Sequence, residues 1–204
     1  MEEGRLDSEN YVKVMQAIRT PPRAVLTVSR HNVPNGLSTG IHYDRIFLRA
    51  GEAEFLTAWV PIGDCTASGG GLMYLEHSDD IGKEMEADFM ARAATFTPEE
   101  RINGFNQNMM RDGQLSHNAS DMTNELLAGT FQGASCAKGN KRKWLVGDYK
   151  AGDVVFHNPY LIHGAVKNED PEGRIRLSTD LRFYEEGAPL DERWMRFWKP
   201  NDGL

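Results

Sequence analysis

Two sets of short β-branched segments, separated by one helix-rich block, constrain this chain more than any other feature. Before the block, Arg23–Ser29, Ile41–Phe47, Phe55–Ile62 and Leu72–Leu75 are rich in Val, Ile, Leu and aromatic residues, with Gly, Pro and Asn turn signals between them. After it, Lys143–Leu145, Asp153–Phe156, Leu161–Val166 and Arg174–Tyr184 read the same way. The block itself, residues 79–143, carries Met, Ala, Glu and Phe at helical spacings over Ile81–Thr95 and Pro98–Met110. A third helix is expected over Asp121–Leu127, with Asp121 as its N-cap. A short helix is expected over Ser8–Arg19, and a final amphipathic piece over Asp191–Trp198. Many short strands without strand–helix–strand alternation predict a mainly β fold with flanking helices. The expected architecture is a double-stranded β-helix (jelly roll, cupin-like) in one domain over residues 1–204.

Bulk properties narrow the function classes. The formal net charge of -7 argues against a nucleic-acid partner, which calls for a basic face. The one basic cluster, Lys138–Lys143, reads as a solvated loop. No apolar run approaches the ~20 residues that span a bilayer, and the acidic start of the chain shows no targeting signal. A cytoplasmic protein with no membrane partner is therefore expected, and a homo-oligomer stays open. Cys65 and Cys136, without C-x-x-C spacing, indicate neither a disulfide scaffold nor a zinc knuckle.

The chemistry-bearing residues lie in both strand sets. His42 and Asp44 stand two apart, and side chains at i and i+2 of an extended strand share a face, with Tyr43 turned away. An imidazole and a carboxylate on one face suit a divalent ion; a second imidazole would complete the two-His, one-carboxylate pattern of non-haem iron(II) oxygenases. His163 supplies it, in Gly152-Asp-Val-Val-Phe-His-Asn-Pro-Tyr-Leu-Ile-His163-Gly. His157 is a rival, read as supporting rather than ligating; His77 and His117 sit in polar loop contexts. Beyond His163, Arg174-Ile-Arg-Leu-Ser178 would set Arg174, Arg176 and Ser178 on one strand face, with aliphatics on the other. A one-sided arginine strand suits a barrel interior that holds an anion, since a guanidinium grips a carboxylate bidentately.

The order H-x-D, then G-D-x-V-F…I-H-G, then R-x-R-L-S resembles the phytanoyl-CoA dioxygenase family of iron(II)/2-oxoglutarate oxygenases. Ala58-Trp59 followed by Gly69-Gly-Gly-Leu-Met-Tyr resembles the same family, so the likeness runs from about Gly36 to Tyr184. The resemblance implies that His42, Asp44 and His163 hold Fe(II). It implies that Arg174, favoured slightly over Arg176 with Ser178, binds the distal carboxylate of the cosubstrate 2-oxoglutarate. Trp59 corresponds to a residue lining the cosubstrate pocket, and Thr57 shares its strand face. The implied activity is a dioxygenase that oxidises a small organic molecule while converting 2-oxoglutarate to succinate. The alternative reading is a non-catalytic or degenerate jelly-roll binding protein with a shortened N-terminal region. A metal hydrolase is a third, disfavoured because hydrolysis has no evident need of the paired arginines.

Overall fold

A computed structural model describes residues 24–49, 51, 54–97, 100, 114–185 and 187–191. Among these residues seven strands are formed: β1 (Ala24–Asn32), β2 (Phe55–Ile62), β3 (Leu72–Leu75), β4 (Trp144–Leu145), β5 (Val155–His157), β6 (His163–Ala165) and β7 (Arg176–Tyr184). They build two antiparallel sheets, one in the order β1-β7-β2-β5 and the other β4-β3-β6. Trp59 of β2 packs with Leu72 and Tyr74 of β3 and Ala165 of β6, so the sheets face each other across a shared apolar layer. This is the predicted jelly-roll architecture.

The long pairing of β2 with β7, from Phe55↔Tyr184 to Ile62↔Leu177, sets what points inward. Along β7, Arg176, Ser178, Asp180, Arg182 and Tyr184 are buried, while Leu177 is 46% exposed. A strand period of two thus lays a polar row along the interior.

Between β3 and β4 lie α1 (Asp79–Arg92), α2 (Ala119–Ala128) and a 3-10 turn (Ser135–Ala137), within the block expected to be helical. Ile81, Met85 and Phe89 of α1 and Met122 and Leu126 of α2 form a core with Ile41, Tyr43, Leu75 and Ile162. α2 starts two residues earlier than expected. Its N-cap is Asn118, whose side-chain oxygen accepts from Ser120 N and Asp121 N, so Asp121 lies in the first turn instead. At Gly82 a Cβ would stand 2.1 Å from the Tyr160 carbonyl oxygen, so only glycine lets α1 lie against the loop leading into β6. The helices expected over 98–110 and 8–19 and the amphipathic piece over 191–198 fall outside the described residues, apart from Glu100 and Asp191. Among the described residues no helix is long and apolar enough to cross a membrane.

Ile41–Phe47 is not a strand. Ile41 and His42 form isolated bridges, to Ser116 and His163, and Asp44–Phe47 is a 3-10 turn. The chain leaves the extended conformation there because Arg45 N bonds Pro159 O and Ile46 N bonds Tyr43 O.

Candidate metal centre and cosubstrate pocket

His42 and His163 are brought together by backbone. Each donates its N–H to the other's carbonyl at 2.8 Å, a closely hydrogen-bonded antiparallel pair whose side chains stand on one face. Their ring centroids are 4.4 Å apart. The 3-10 turn then carries the Asp44 carboxylate up to them, with Oδ1 3.8 Å from His42 Nε2 and 3.9 Å from His163 Nε2. All three side chains are buried, and their ligand atoms lie within 4.8 Å of one another.

The ring nitrogens are assigned by their partners. His42 Nδ1 lies 2.8 Å from Gly40 O, and His163 Nδ1 lies 2.8 Å from Leu161 O. A carbonyl only accepts, so each Nδ1 carries the proton and each Nε2 offers a lone pair to the centre. Burial pushes both imidazole pKa values down, His163 well down because His42 and His157 crowd it, which keeps the pair neutral. Burial works the other way on Asp44, but the Arg182 guanidinium, the hydrogen bond from His157 and the nearby imidazoles outweigh it and hold the carboxyl well below the usual range. Two neutral nitrogens and one carboxylate oxygen facing one point form a donor set that fits a divalent ion such as Fe(II).

Asp44 is held from several sides. Its Oδ2 accepts Thr57 Oγ1 at 2.6 Å and lies 3.3 Å from His157 Nε2. His157 Nδ1 in turn lies 3.3 Å from the Tyr74 hydroxyl, whose pKa burial raises well above the phenol range. Tyr74 therefore keeps its proton and donates, leaving His157 Nε2–H to donate to Asp44. Behind the ligands, Tyr43 turns away as expected and donates to Glu86, which also takes Arg49. That network ties the ligand-bearing segment to α1.

A small, open-mouthed cavity adjoins this cluster. It is lined by the triad and by Arg30, Trp59, His157, Arg176 and Asp180, among others. Arg176 donates from Nε to Gly70 O at 2.8 Å and from Nη1 to Ser178 Oγ at 2.6 Å. Gly70 carries φ +84°, and a Cβ there would meet Asn32 Nδ2 at 2.6 Å, which accounts for glycine in the Gly69-Gly-Gly turn. Arg176 is only 8% exposed, yet among the described residues no carboxylate lies within ion-pair distance of it. The Asp180 carboxylate acts on it only from beyond ion-pair distance, and a buried cation with no carboxylate in direct contact favours a bound anion.

The structure does not bring Arg174 to this cavity. Its side chain is 59% exposed and is held at the surface by Asp170 and Glu172. The expected shared face fails because β7 begins only at Arg176; the 168–174 loop, with Asn168 Nδ2 bonded to Arg174 O and Gly173 at φ +69°, turns Arg174 outward. Thr57 points at Asp44 and is not part of the cavity wall, whereas Trp59 lines it, its ring centroid 5.8 Å from the Arg176 guanidinium carbon. His77 and His117 are exposed. Arg30, Asp180 and Arg182 were not singled out by the sequence. Continuing the two-residue period from Arg176 would have reached Asp180 and Arg182.

Fold and site together define a double-stranded β-helix with a two-His, one-carboxylate centre. Residues 5–175 match the family model for phytanoyl-CoA dioxygenase (PhyH), and the chain belongs to that family. No curated relative matches it. Among solved structures it is similar to the non-heme alpha ketoglutarate dependent carbocyclase SnoK from nogalamycin biosynthesis, at 19% identity and TM-score 0.46, covering 78% of this chain and 48% of that one. It is similar to the epimerase SnoN in complex with Fe3+, alpha ketoglutarate and nogalamycin RO, at 16% identity and TM-score 0.48, covering 97% and 70%. EvdO2 from Micromonospora carbonacea var. aurantiaca complexed with 2-oxoglutarate matches at 17% identity and TM-score 0.42, covering 94% and 68%. The chain thus spans about half the length of SnoK and about two thirds of the other two.

Proposed function

We propose that this protein is an Fe(II)/2-oxoglutarate-dependent dioxygenase acting on a small organic molecule, with His42, Asp44 and His163 as metal ligands and Arg176 with Ser178 as the anchor for the cosubstrate's distal carboxylate. The observation that carries the reading is the buried Arg176 without a carboxylate partner, in the same cavity wall as the three ligands. A hydrolytic metal site has no need of such a cation; a dianionic cosubstrate that must reach the metal at one end and be held at the other does.

Iron(II) held there supplies the redox chemistry: dioxygen and 2-oxoglutarate are converted to succinate and carbon dioxide, with one oxygen atom delivered to the substrate. The chain's own residues do the rest. The two Nδ1–H···carbonyl bonds keep both imidazoles facing the centre, and Thr57 and His157 fix the far oxygen of Asp44. Arg176, itself oriented by Gly70 O and Ser178, offers its remaining nitrogen, Nη2, to the incoming carboxylate. Trp59 and Leu72 give the cavity apolar walls that limit water around the oxidising centre.

Anaerobic addition of Fe(II) and 2-oxoglutarate should give a weak visible charge-transfer band, lost in His163→Ala. A wild-type protein with no band, or a band untouched by the substitution, would refute the assignment.

A further inference from the structure

The same oxygen of Asp44 that faces both histidines also meets a cation. Oδ1 accepts Arg182 Nη2 at 3.1 Å, and the two side chains are 4% and 3% exposed. Arg182 is the fourth inward residue of β7, past Arg176, Ser178 and Asp180. Asp180, the other carboxylate on that row, is engaged by Arg30 at 3.3 Å.

Holding Asp44 in place does not require this contact. Thr57 and His157 already fix Oδ2, and the 3-10 turn fixes the backbone. What Arg182 adds is charge, placed against the one oxygen that faces the metal position. A guanidinium one ligand atom away from a divalent ion opposes its binding, and in a buried site the repulsion is only partly screened. The same charge favours any dianion that enters the cavity beside the ion.

Building on the metal and cosubstrate assignment above, we propose that Arg182 is a positioning residue acting through Asp44. It lowers the triad's affinity for the bare divalent ion and raises the loaded site's affinity for the dianionic cosubstrate. Charge on Arg182 therefore trades metal affinity against 2-oxoglutarate affinity.

The test is anaerobic titration of the metal-free protein with Co(II), followed by titration of the Co(II)-loaded protein with 2-oxoglutarate, both read by calorimetry. Arg182→Gln should bind Co(II) about tenfold more tightly or better, and 2-oxoglutarate several-fold more weakly. Arg182→Lys, which keeps the charge, should stay within about threefold of wild type for Co(II). Arg182→Met serves as a second neutral variant of similar length, since an apolar replacement of a buried charge is often well tolerated. A purely structural arginine would move both affinities the same way. Weaker or unchanged Co(II) binding in the neutral variants would overturn the proposal, as would failure of both to fold, which would make Arg182 a requirement of the core. Failure of the underlying assignment looks different: wild type would bind no Co(II), or His163→Ala would bind it equally well.

Discussion

His42 and His163 lie directly opposite each other in a doubly hydrogen-bonded bridge, so the backbone itself sets two candidate ligand side chains face to face. A preorganised site binds without refolding, and binding to the folded state alone raises stability. Ni(II) at a hundredfold excess over its dissociation constant should add ~2.7 kcal/mol, seen as a melting-temperature rise of several degrees. His42→Ala and His163→Ala should each abolish that rise, and a chelator should reverse it in the wild type. An equal rise in the alanine variants would place the ion elsewhere.

The two arginines should separate sharply. Arg176→Met removes a buried cation that has no carboxylate partner and should weaken 2-oxoglutarate binding by about 2 kcal/mol or more, roughly thirtyfold. Arg174→Met removes a surface side chain and should change it by less than about 0.5 kcal/mol. Titrating the charge-transfer band with 2-oxoglutarate in both variants reads this directly.

Thr57 would act on a bound metal only through Asp44. Thr57→Val deletes the 2.6 Å bond to Oδ2 while keeping the shape, and should cost about tenfold in metal affinity. Thr57→Ser should restore most of it. An unchanged affinity in the valine variant would mean that His157 alone orients the carboxylate.

Cys136 is exposed but should be slow to react. Burial of the sulfur and the neighbouring Glu84 carboxylate push its thiol up to about 11, from 9.0. The thiolate is the reactive form, so near pH 8 its population falls about a hundredfold below that of an unperturbed thiol, and alkylation should still be accelerating beyond pH 9. Glu84→Gln should speed it. Alkylation at the rate of a free thiol, measured by mass spectrometry, would contradict the assigned environment.

The clamp behind the ligands should carry stability. Glu86→Ala removes the carboxylate that Arg49 and Tyr43 both bond, and should cost about 3 kcal/mol by denaturant unfolding. Glu86→Gln keeps an acceptor and should cost less.

Much of this was legible in the chain. β2 and β3 occupy the expected Phe55–Ile62 and Leu72–Leu75, because β-branched and aromatic runs bounded by glycines leave little choice of period. Among the described residues between β3 and β4, α1 and α2 form where helices over Ile81–Thr95 and Asp121–Leu127 were expected, and the choice of candidate ligands followed from residue type and order. The same-face argument for His42 and Asp44 named two side chains that the structure does bring together, but by another route: they converge through a bridge and a 3-10 turn, not along a strand.

The sequence by itself determined which donor atoms are present and in what order, because imidazole, carboxylate and guanidinium chemistry is written in residue type. Only the tertiary structure decided which arginine faces the interior. The two-residue alternation holds only where a partner strand keeps the backbone extended, and β7 is engaged by β1 from Arg176 and by β2 from Leu177 onward, past Arg174. The same pairing drew in Arg182, Thr57 and His157, whose roles depend on contacts across 138, 13 and 113 residues of chain that no local pattern records.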